Sequence, residues 1–132
     1  QNAYELWRED YGYAETLLTS DDPGIRIEAL DEFAAEGAGL TVLARELESE
    51  ADNQVRIAIL HKLDESGSVI ALHSMLAALN DREPEVVITA IQLIQEWQDE
   101  EVVDRYIQPF ASHEDDGVRD AAMEAIDRVR NY

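Results

Sequence analysis

The amino-acid sequence predicts an all-α fold, an α-α superhelix (solenoid) of about four helix pairs. The first observation is a motif that opens four segments of the chain, in which an acidic residue precedes an apolar anchor by three positions. The anchors are 30, 31 and 32 residues apart, and they are Ile25, Val55, Val86 and Val118. Self-similarity at this period is typical of proteins whose repeats bury their apolar faces against one another. The second observation is that no segment shows the sustained apolar–polar alternation of a strand.

Each anchor is predicted to begin an amphipathic helix. Apolar residues recur four, five and eight positions after the anchor, and these offsets fall on one side of a helix. The expected core columns are Ala29, Ile59, Ala90 and Ala122 at offset 4, Leu30, Leu60, Ile91 and Met123 at offset 5, and Phe33, Leu63, Ile94 and Ile126 at offset 8. The Asp, Asn, Ser and Pro residues just before the anchors favour helix caps and first turns. We call these four helices the capped helices.

A further helix is expected before each capped helix. Apolar residues at helical spacing predict it, namely Tyr4, Trp7, Tyr11, Ala14 and Leu18, then Leu40, Leu43 and Leu47, then Leu72, Leu76 and Leu79, then Val103, Ile107 and Phe110. Pro109 is expected to kink the last of these helices because it lacks a backbone N–H. The sequence then predicts a single domain, 1–132, with repeats of roughly 2–36, 37–66, 67–98 and 99–132.

The pattern Asp-x-x-Val-Arg-x-x-Ala, followed by a turn and a Leu-x-x-Leu helix, resembles the short HEAT-like repeats first grouped with phycobilisome lyases. The resemblance covers about residues 13–131, and the third repeat departs from it with Val87 in place of arginine. It implies a structural role for Arg26, Arg56 and Arg119, which would brace one repeat to the next through carboxylates or helix-end carbonyls. The alternative is that these three arginines form a basic surface that binds an anionic ligand.

The charge of the chain restricts its partners. There are 30 acidic and 10 basic residues, which gives a formal net charge of −20. Nucleic acid is excluded as a partner because its binding depends on neutralising phosphates, and an anionic membrane surface is excluded for the same reason. The sequence contains no run of about 18 apolar residues, so membrane insertion is not predicted. The acidity is explained either by adaptation to a salty medium or by attraction of a basic partner.

The sequence offers no residue set typical of an active site or a metal centre. Cysteine is absent, and none of the three histidines is paired with a second ligand at helical spacing. His113-Glu114 is similar to the His-Glu pairs from which deoxyhypusine hydroxylases build a di-iron site on HEAT-like repeats. The equivalent positions hold Ser20-Asp21, Glu50-Ala51 and Asp81-Arg82, so the pair does not recur. We expect no enzymatic activity, no metal and no cofactor.

A candidate binding surface lies on the capped helices, which the resemblance places on the inner, concave side of a solenoid. Positions opposite the core columns are polar and mostly acidic, and the candidates are Asp31, His61, Asp64, Gln92, Glu96, Glu124 and Asp127. Offset 2 carries Ile27, Ile57 and Ile88. These isoleucines either pack against the adjacent repeat or form an exposed apolar strip. An exposed strip bordered by acids would suit a segment with basic and apolar residues.

We expect a non-catalytic protein–protein interaction or scaffold module that uses an acidic concave face. Its partner is expected to be a protein with a basic and apolar segment. One alternative is an accessory subunit of a tetrapyrrole (phycobilin) lyase-type enzyme, which the family resemblance implies, and another is a structural segment of a longer solenoid. Gln1 in place of Met indicates a processed or trimmed chain, and both cytoplasmic and extracytoplasmic locations stay open.

Overall fold

The computed structural model describes residues 12–33 and 36–131. Every regular element within these two ranges is helical, and neither range contains a strand. The prediction of an all-α fold is therefore confirmed. Tyr4, Trp7 and Tyr11, which the sequence places on a first helix, lie outside the described residues.

Helices follow one another along the chain with short connections. Helix α1 is described over residues 12–17. The later helices are α2 (Pro23–Leu30), α3 (Gly37–Ser49), α4 (Asn53–Asp64), α5 (Val69–Ala78), α6 (Pro84–Gln95), α7 (Glu100–Val102) and α8 (Asp116–Arg130). The capped helices of the sequence analysis are α2, α4, α6 and α8. None of the helices in the described ranges is long and apolar enough to cross a bilayer.

The chain divides into two compact units, Gln1–Ala71 and Leu72–Tyr132. In the first unit, α4 packs against both α2 and α3. In the second unit, α8 packs against α6 and against the irregular helical segment that follows α7. Each unit therefore contains a capped helix that contacts both the previous capped helix and the segment between them.

The predicted core columns are buried, with two exceptions. All residues at offsets 4 and 8 are buried, and so are Leu30, Leu60 and Ile91 at offset 5. Met123 at offset 5 is 54% exposed, because no helix follows α8 among the described residues and nothing packs over this position. Ile25 is 38% exposed, whereas the other three anchors are fully buried. Ile25 is exposed because only the short α1 precedes α2 in the described chain. The predicted burial of Ile25 and Met123 is therefore wrong.

Helix α5 buries a face next to the one that Leu72 and Leu76 mark. Its buried residues are Ala71, Met75 and Ala78, followed by Leu79, whereas Leu72 and Leu76 are only half-buried. The helix carries apolar residues on nearly every side, so the spacing of its leucines does not single out the face that packs. The helix that the spacing of Leu72, Leu76 and Leu79 predicts is therefore present, although it buries Leu79 and not Leu72 or Leu76.

Pro109 lies in an irregular stretch of helix, as its missing N–H leads one to expect. Helix α7 passes into a π-helical turn, Val103–Ile107, and then into a 3-10 segment, Gln108–Ser112, in which Pro109 occupies the first turn. The Gln108 N–H donates to the carbonyl of Val103, five residues earlier. This change of winding keeps both Val103 and Ile107 buried ahead of the proline.

Aspartates cap three of the four capped helices. The Asp22 carboxylate accepts from the Gly24 N–H at 2.8 Å, Asp52 from the Gln54 N–H at 2.9 Å, and Asp115 from the Val118 N–H at 3.0 Å. Helix α6 has Glu83 at this position, and the Glu83 side chain caps no N–H. A carboxylate on the shorter aspartate side chain reaches the first-turn N–H groups, and aspartate is among the preferred N-cap residues.

Replacing Glu83 by aspartate should therefore stabilise the protein by about 1 kcal/mol. Asp22 caps α2 directly before Pro23, so the Asp-Pro pair that Glu83→Asp creates before Pro84 already exists in this chain. Urea unfolding followed by circular dichroism measures the change. Glu48→Asp, the same change at an exposed position of α3, is the control and should give no gain. An unchanged unfolding midpoint for Glu83→Asp would contradict the prediction.

Candidate interaction surface on the capped helices

The structure places the predicted surface residues at different depths. The isoleucines at offset 2, Ile27, Ile57 and Ile88, are half-buried. The polar candidates that are exposed are Asp31, His61, Gln92, Glu96, Glu124 and Asp127, and Asp64 is half-buried. Polar side chains therefore stand in solvent beside partly covered isoleucines in both compact units.

A groove between α2 and α4 brings several candidates together. It has a volume of ≈ 220 Å³ and is lined by Ile27, Leu30, Asp31, Ala58, His61, Lys62 and Glu65. Apolar atoms of Ile27, Leu30 and Ala58 form part of the lining, and polar side chains complete it. The groove thus joins Ile27, Asp31 and His61 of the predicted surface, and it adds Ala58 and Lys62, which the column pattern did not single out.

The charged side chains that line the groove do not all cancel one another. Lys62 Nζ lies 3.1 Å from a carboxylate oxygen of Glu65, so these two charges largely cancel. Asp31 forms no ion pair with any described residue and is exposed. The uncompensated charge of the groove is therefore negative, in agreement with the charge of the whole chain.

In the second compact unit, Ile88 packs against the next capped helix. A Cβ atom added to Gly117, at the start of α8, would lie 2.9 Å from Cδ1 of Ile88. Ile88 therefore packs closely on the backbone of the next capped helix. Such a contact matches the alternative interpretation of the column, in which an isoleucine packs against the adjacent repeat.

Arg26 links helix α2 to the turn that follows α3. Its guanidinium forms a two-pronged contact with Glu50, with Nε 2.9 Å from one carboxylate oxygen and Nη2 2.8 Å from the other. Arg26 Nη1 also donates to the carbonyl of Ser20 at 2.7 Å. Glu50 follows the last residue of α3 and is buried. These contacts link α2 to the turn after α3, and a bracing role for Arg26 between repeats stays a prediction.

Arg119 makes the equivalent contact at the start of α8. Its Nη1 donates to the carbonyl of His113 at 2.9 Å, six residues earlier, as Arg26 does to Ser20. Arg119 also pairs with Asp116. Arg56 is half-buried at the corresponding position of α4. Arg26 and Arg119 thus bind the turn that leads into their own helix, and Arg26 additionally reaches the turn after α3.

One hydrogen bond recurs at all four turns that lead into the capped helices. Two residues before each N-cap, a side-chain atom accepts from the N–H of the N-cap residue. The pairs are Asp22 N–H to Ser20 Oγ at 3.1 Å, Asp52 to Glu50 Oε1 at 3.0 Å, Glu83 to Asp81 Oδ1 at 2.9 Å and Asp115 to His113 Nδ1 at 3.0 Å. These acceptors stand at the positions that were compared above for a His-Glu metal site. His113 closes its turn and stacks on Phe110.

Glu50 and Glu46 lie one turn apart and have opposite pKa shifts. Burial alone would raise the pKa of Glu50, but hydrogen bonds from Arg26 and from the Asp52 N–H outweigh it and hold the pKa below its ordinary value of 4.5. Burial and the neighbouring Glu50 carboxylate raise the pKa of Glu46. The fold therefore stabilises the charged form of Glu50 and disfavours the charged form of Glu46.

Comparisons with protein-family models, curated proteins and solved structures gave no match to this chain. The resemblance to HEAT-like repeats therefore rests on the repeat residues alone. Nothing in these comparisons assigns a function to the groove between α2 and α4.

Proposed function

We propose that this chain is a non-catalytic protein-interaction module, built as an α-α superhelix of HEAT-like repeats. The observation that supports it best is the groove between α2 and α4, where Ile27, Leu30 and Ala58 stand beside the uncompensated Asp31. Partly covered apolar atoms beside an acid that forms no ion pair with a described residue suit a helical or extended segment that carries apolar and basic residues. The net charge of −20 would attract such a segment before contact.

The proposal assigns separate tasks to charge and to apolar contact. Acids around the groove act mainly on encounter, because electrostatic attraction raises the association rate and is screened by salt. Ile27 acts after encounter, because burial of its side chain slows dissociation. The two contributions can therefore be measured independently in one kinetic experiment.

The test uses a designed helical peptide of leucine and lysine as the probe, with a leucine–glutamate peptide of the same pattern beside it. We expect the lysine peptide to bind and the glutamate peptide not to bind. Asp31→Lys should lower the association rate and flatten its salt dependence. Ile27→Ser should raise the dissociation rate by about tenfold, because it removes roughly 1.5 kcal/mol of apolar burial. Surface plasmon resonance measures both rates.

Matched variants separate the groove from general acidity. Asp120→Lys makes the same charge change on an exposed residue of α8 outside the candidate surface, and Ile25→Ser makes the same polar change on α2 at a residue outside the groove lining. Circular dichroism checks that all four variants keep their helices. If Asp120→Lys and Ile25→Ser change the rates as much as Asp31→Lys and Ile27→Ser do, the groove is not the binding site.

A further inference from the structure

A histidine closes the turn that leads into α8. The ring nitrogen Nδ1 of His113 accepts from the Asp115 N–H at 3.0 Å, and the ring stacks on Phe110 with 5.9 Å between the two ring centres. Because the donor is a backbone N–H, the nitrogen that accepts from it carries no proton. In the closed turn His113 is therefore a neutral imidazole with its proton on Nε2.

Uptake of a proton affects this acceptor differently from those of the other three turns, which are Ser20, Glu50 and Asp81. A serine hydroxyl keeps its lone pairs, and even a protonated carboxyl group retains an oxygen that accepts. An imidazolium has two N–H donors and no acceptor, so a protonated His113 cannot receive the Asp115 N–H. Histidine is also the side chain whose ordinary change of charge falls between about pH 5 and pH 8.

We propose that His113 is a proton-sensitive switch of the turn into α8. At the alkaline end of the range in which histidine titrates, the neutral ring closes the turn. As the pH falls through that range, Nδ1 takes up a proton, the hydrogen bond from the Asp115 N–H breaks and the turn opens. The closed turn requires the neutral ring, so the stability that this hydrogen bond contributes is present at high pH and is lost toward acid.

Charged side chains follow His113 directly along the chain. The Asp115 carboxylate caps α8, and Asp116 pairs with Arg119, so both acids already have partners. Arg119 also donates to the carbonyl of His113 at 2.9 Å, which brings a guanidinium to the backbone of the same residue. Glu114 is exposed. Among the described residues, no carboxylate accepts a hydrogen bond from the His113 ring, so none holds a protonated ring in the closed geometry.

The residue of α6 that corresponds to Arg26 is apolar. Arg26 follows the anchor of α2 and pairs with Glu50, the acceptor of the next turn. Val87 follows the anchor of α6 in the same way, and it is buried. The chain thus provides an arginine before a carboxylate acceptor and a valine before the histidine, which suits a neutral ring. The charged residues on the segments that pack against α8 are Glu85 of α6 and Asp104 and Arg105 of the π-helical turn.

The opening is confined to the start of α8. Val118, Ala122 and Ile126 are buried, and α8 packs against α6 and the 3-10 segment. These apolar contacts do not depend on the hydrogen bond to His113. The segment that opens is therefore 113–117, and the rest of α8 stays in place.

NMR spectroscopy of the whole chain between about pH 8 and pH 5 tests the proposal. At the alkaline end, the nitrogen shifts of the His113 ring should show a proton on Nε2 and none on Nδ1. The Asp115 amide proton should lose its hydrogen-bonded shift on acidification, with the same midpoint as the ring. The amides of Asp22 and Glu83 are internal controls, because a hydroxyl and a carboxylate accept from them, and they should not follow that midpoint.

Hydrogen exchange measures the opening itself. From pH 8 to pH 5, the protection of the Asp115 amide, corrected for its intrinsic exchange rate, should fall about two- to tenfold, as expected for the loss of one hydrogen bond. His113→Ser keeps an acceptor, as Ser20 does before α2, and its protection should not depend on pH. His73→Ser removes an exposed histidine of α5 and should behave as the parent does.

The measurements on the parent decide the proposal even where a variant fails to fold, which circular dichroism checks. The proposal is overturned if Nδ1 of His113 carries the proton at pH 8, or if the Asp115 amide does not follow the titration of the ring. A folded His113→Ser variant that loses protection in acid as the parent does would also overturn it, because the pH dependence would then come from another group.

Discussion

Replacing Leu60 by alanine should lower the free energy of unfolding by about 2–5 kcal/mol. Leu60 is fully buried in α4, and truncation to alanine removes apolar contacts and leaves a cavity that the surrounding side chains fill only in part. Urea unfolding followed by circular dichroism gives the change. A loss of this size is a large share of the stability of a domain of this length.

The chain offers a control within the same column. Met123 occupies the position in α8 that Leu60 occupies in α4, but it is exposed. Met123→Ala should cost less than about 1 kcal/mol, because surface substitutions seldom cost more. Equal losses in the two variants would show that Met123 is covered in solution, for example by another molecule, and repeating the melts at several protein concentrations would reveal such an association.

Replacing Arg26 by methionine should destabilise the protein several times more than replacing Arg45 by methionine. Arg26 pairs with Glu50, whose side chain is almost entirely buried, and its removal leaves that carboxylate without its charged partner. Arg45 pairs with Glu15 in solvent at 2.9 Å, and exposed pairs of this kind contribute about 0–1 kcal/mol. Thermal unfolding of the two variants compares them directly.

The Arg26–Glu50 pair should also give the stability a defined dependence on pH. The pKa of Glu50 in the folded chain lies below its ordinary value of 4.5, so its contribution is fully present above that value. It is lost as the pH falls through the lowered pKa, because the folded state then has to take up a proton that it resists. Glu46 acts in the opposite sense, since its pKa is raised and its protonation favours the folded state.

Unfolding midpoints measured between neutral and acid pH test this assignment. Glu50→Gln should lose less stability in acid than the parent does. In a chain that already carries Glu50→Gln, the further change Arg26→Met should cost much less stability than it costs in the parent. If Arg26→Met and Arg45→Met cost the same, or if Glu50→Gln leaves the acid limb unchanged, the buried pair does not carry the stability assigned to it.

Periodicity in the sequence predicted most of the buried positions of the capped helices. Leu60 and Ile91 are fully buried, and α4 and α6 each pack against another capped helix of their own unit. Ile25 and Met123 have the same local pattern and are exposed, because periodicity describes one helix and not what packs against it. In α5 the spacing of the leucines predicted the helix but did not mark its buried face, since a helix that is apolar on most sides specifies no single face.

Part of the candidate surface could be found from the sequence and part could not. The offsets opposite the core led to Ile27, Asp31 and His61, which line the groove between α2 and α4. Glu50 was missed as a functional group because it lies outside both helical patterns, in the turn after α3. Glu50 lies two residues before the N-cap Asp52, and this position could have indicated its role. The position has a meaning only once the hydrogen bond from the Asp52 N–H to Glu50 is known.

The recurrent turn has a consequence for how such a chain can change. The position two residues before each N-cap needs an atom that accepts a hydrogen bond, and serine, glutamate, aspartate and histidine all supply one here. These four side chains differ in charge, size and shape, yet each closes the same turn. Glu50 is also held by its buried ion pair with Arg26, but at turns such as those of Ser20 and His113 mutation can exchange the acceptor and alter the charge of the turn while the turn itself is kept. A designer could use the same freedom, choosing these residues for solubility or for a new ligand and leaving the helices untouched.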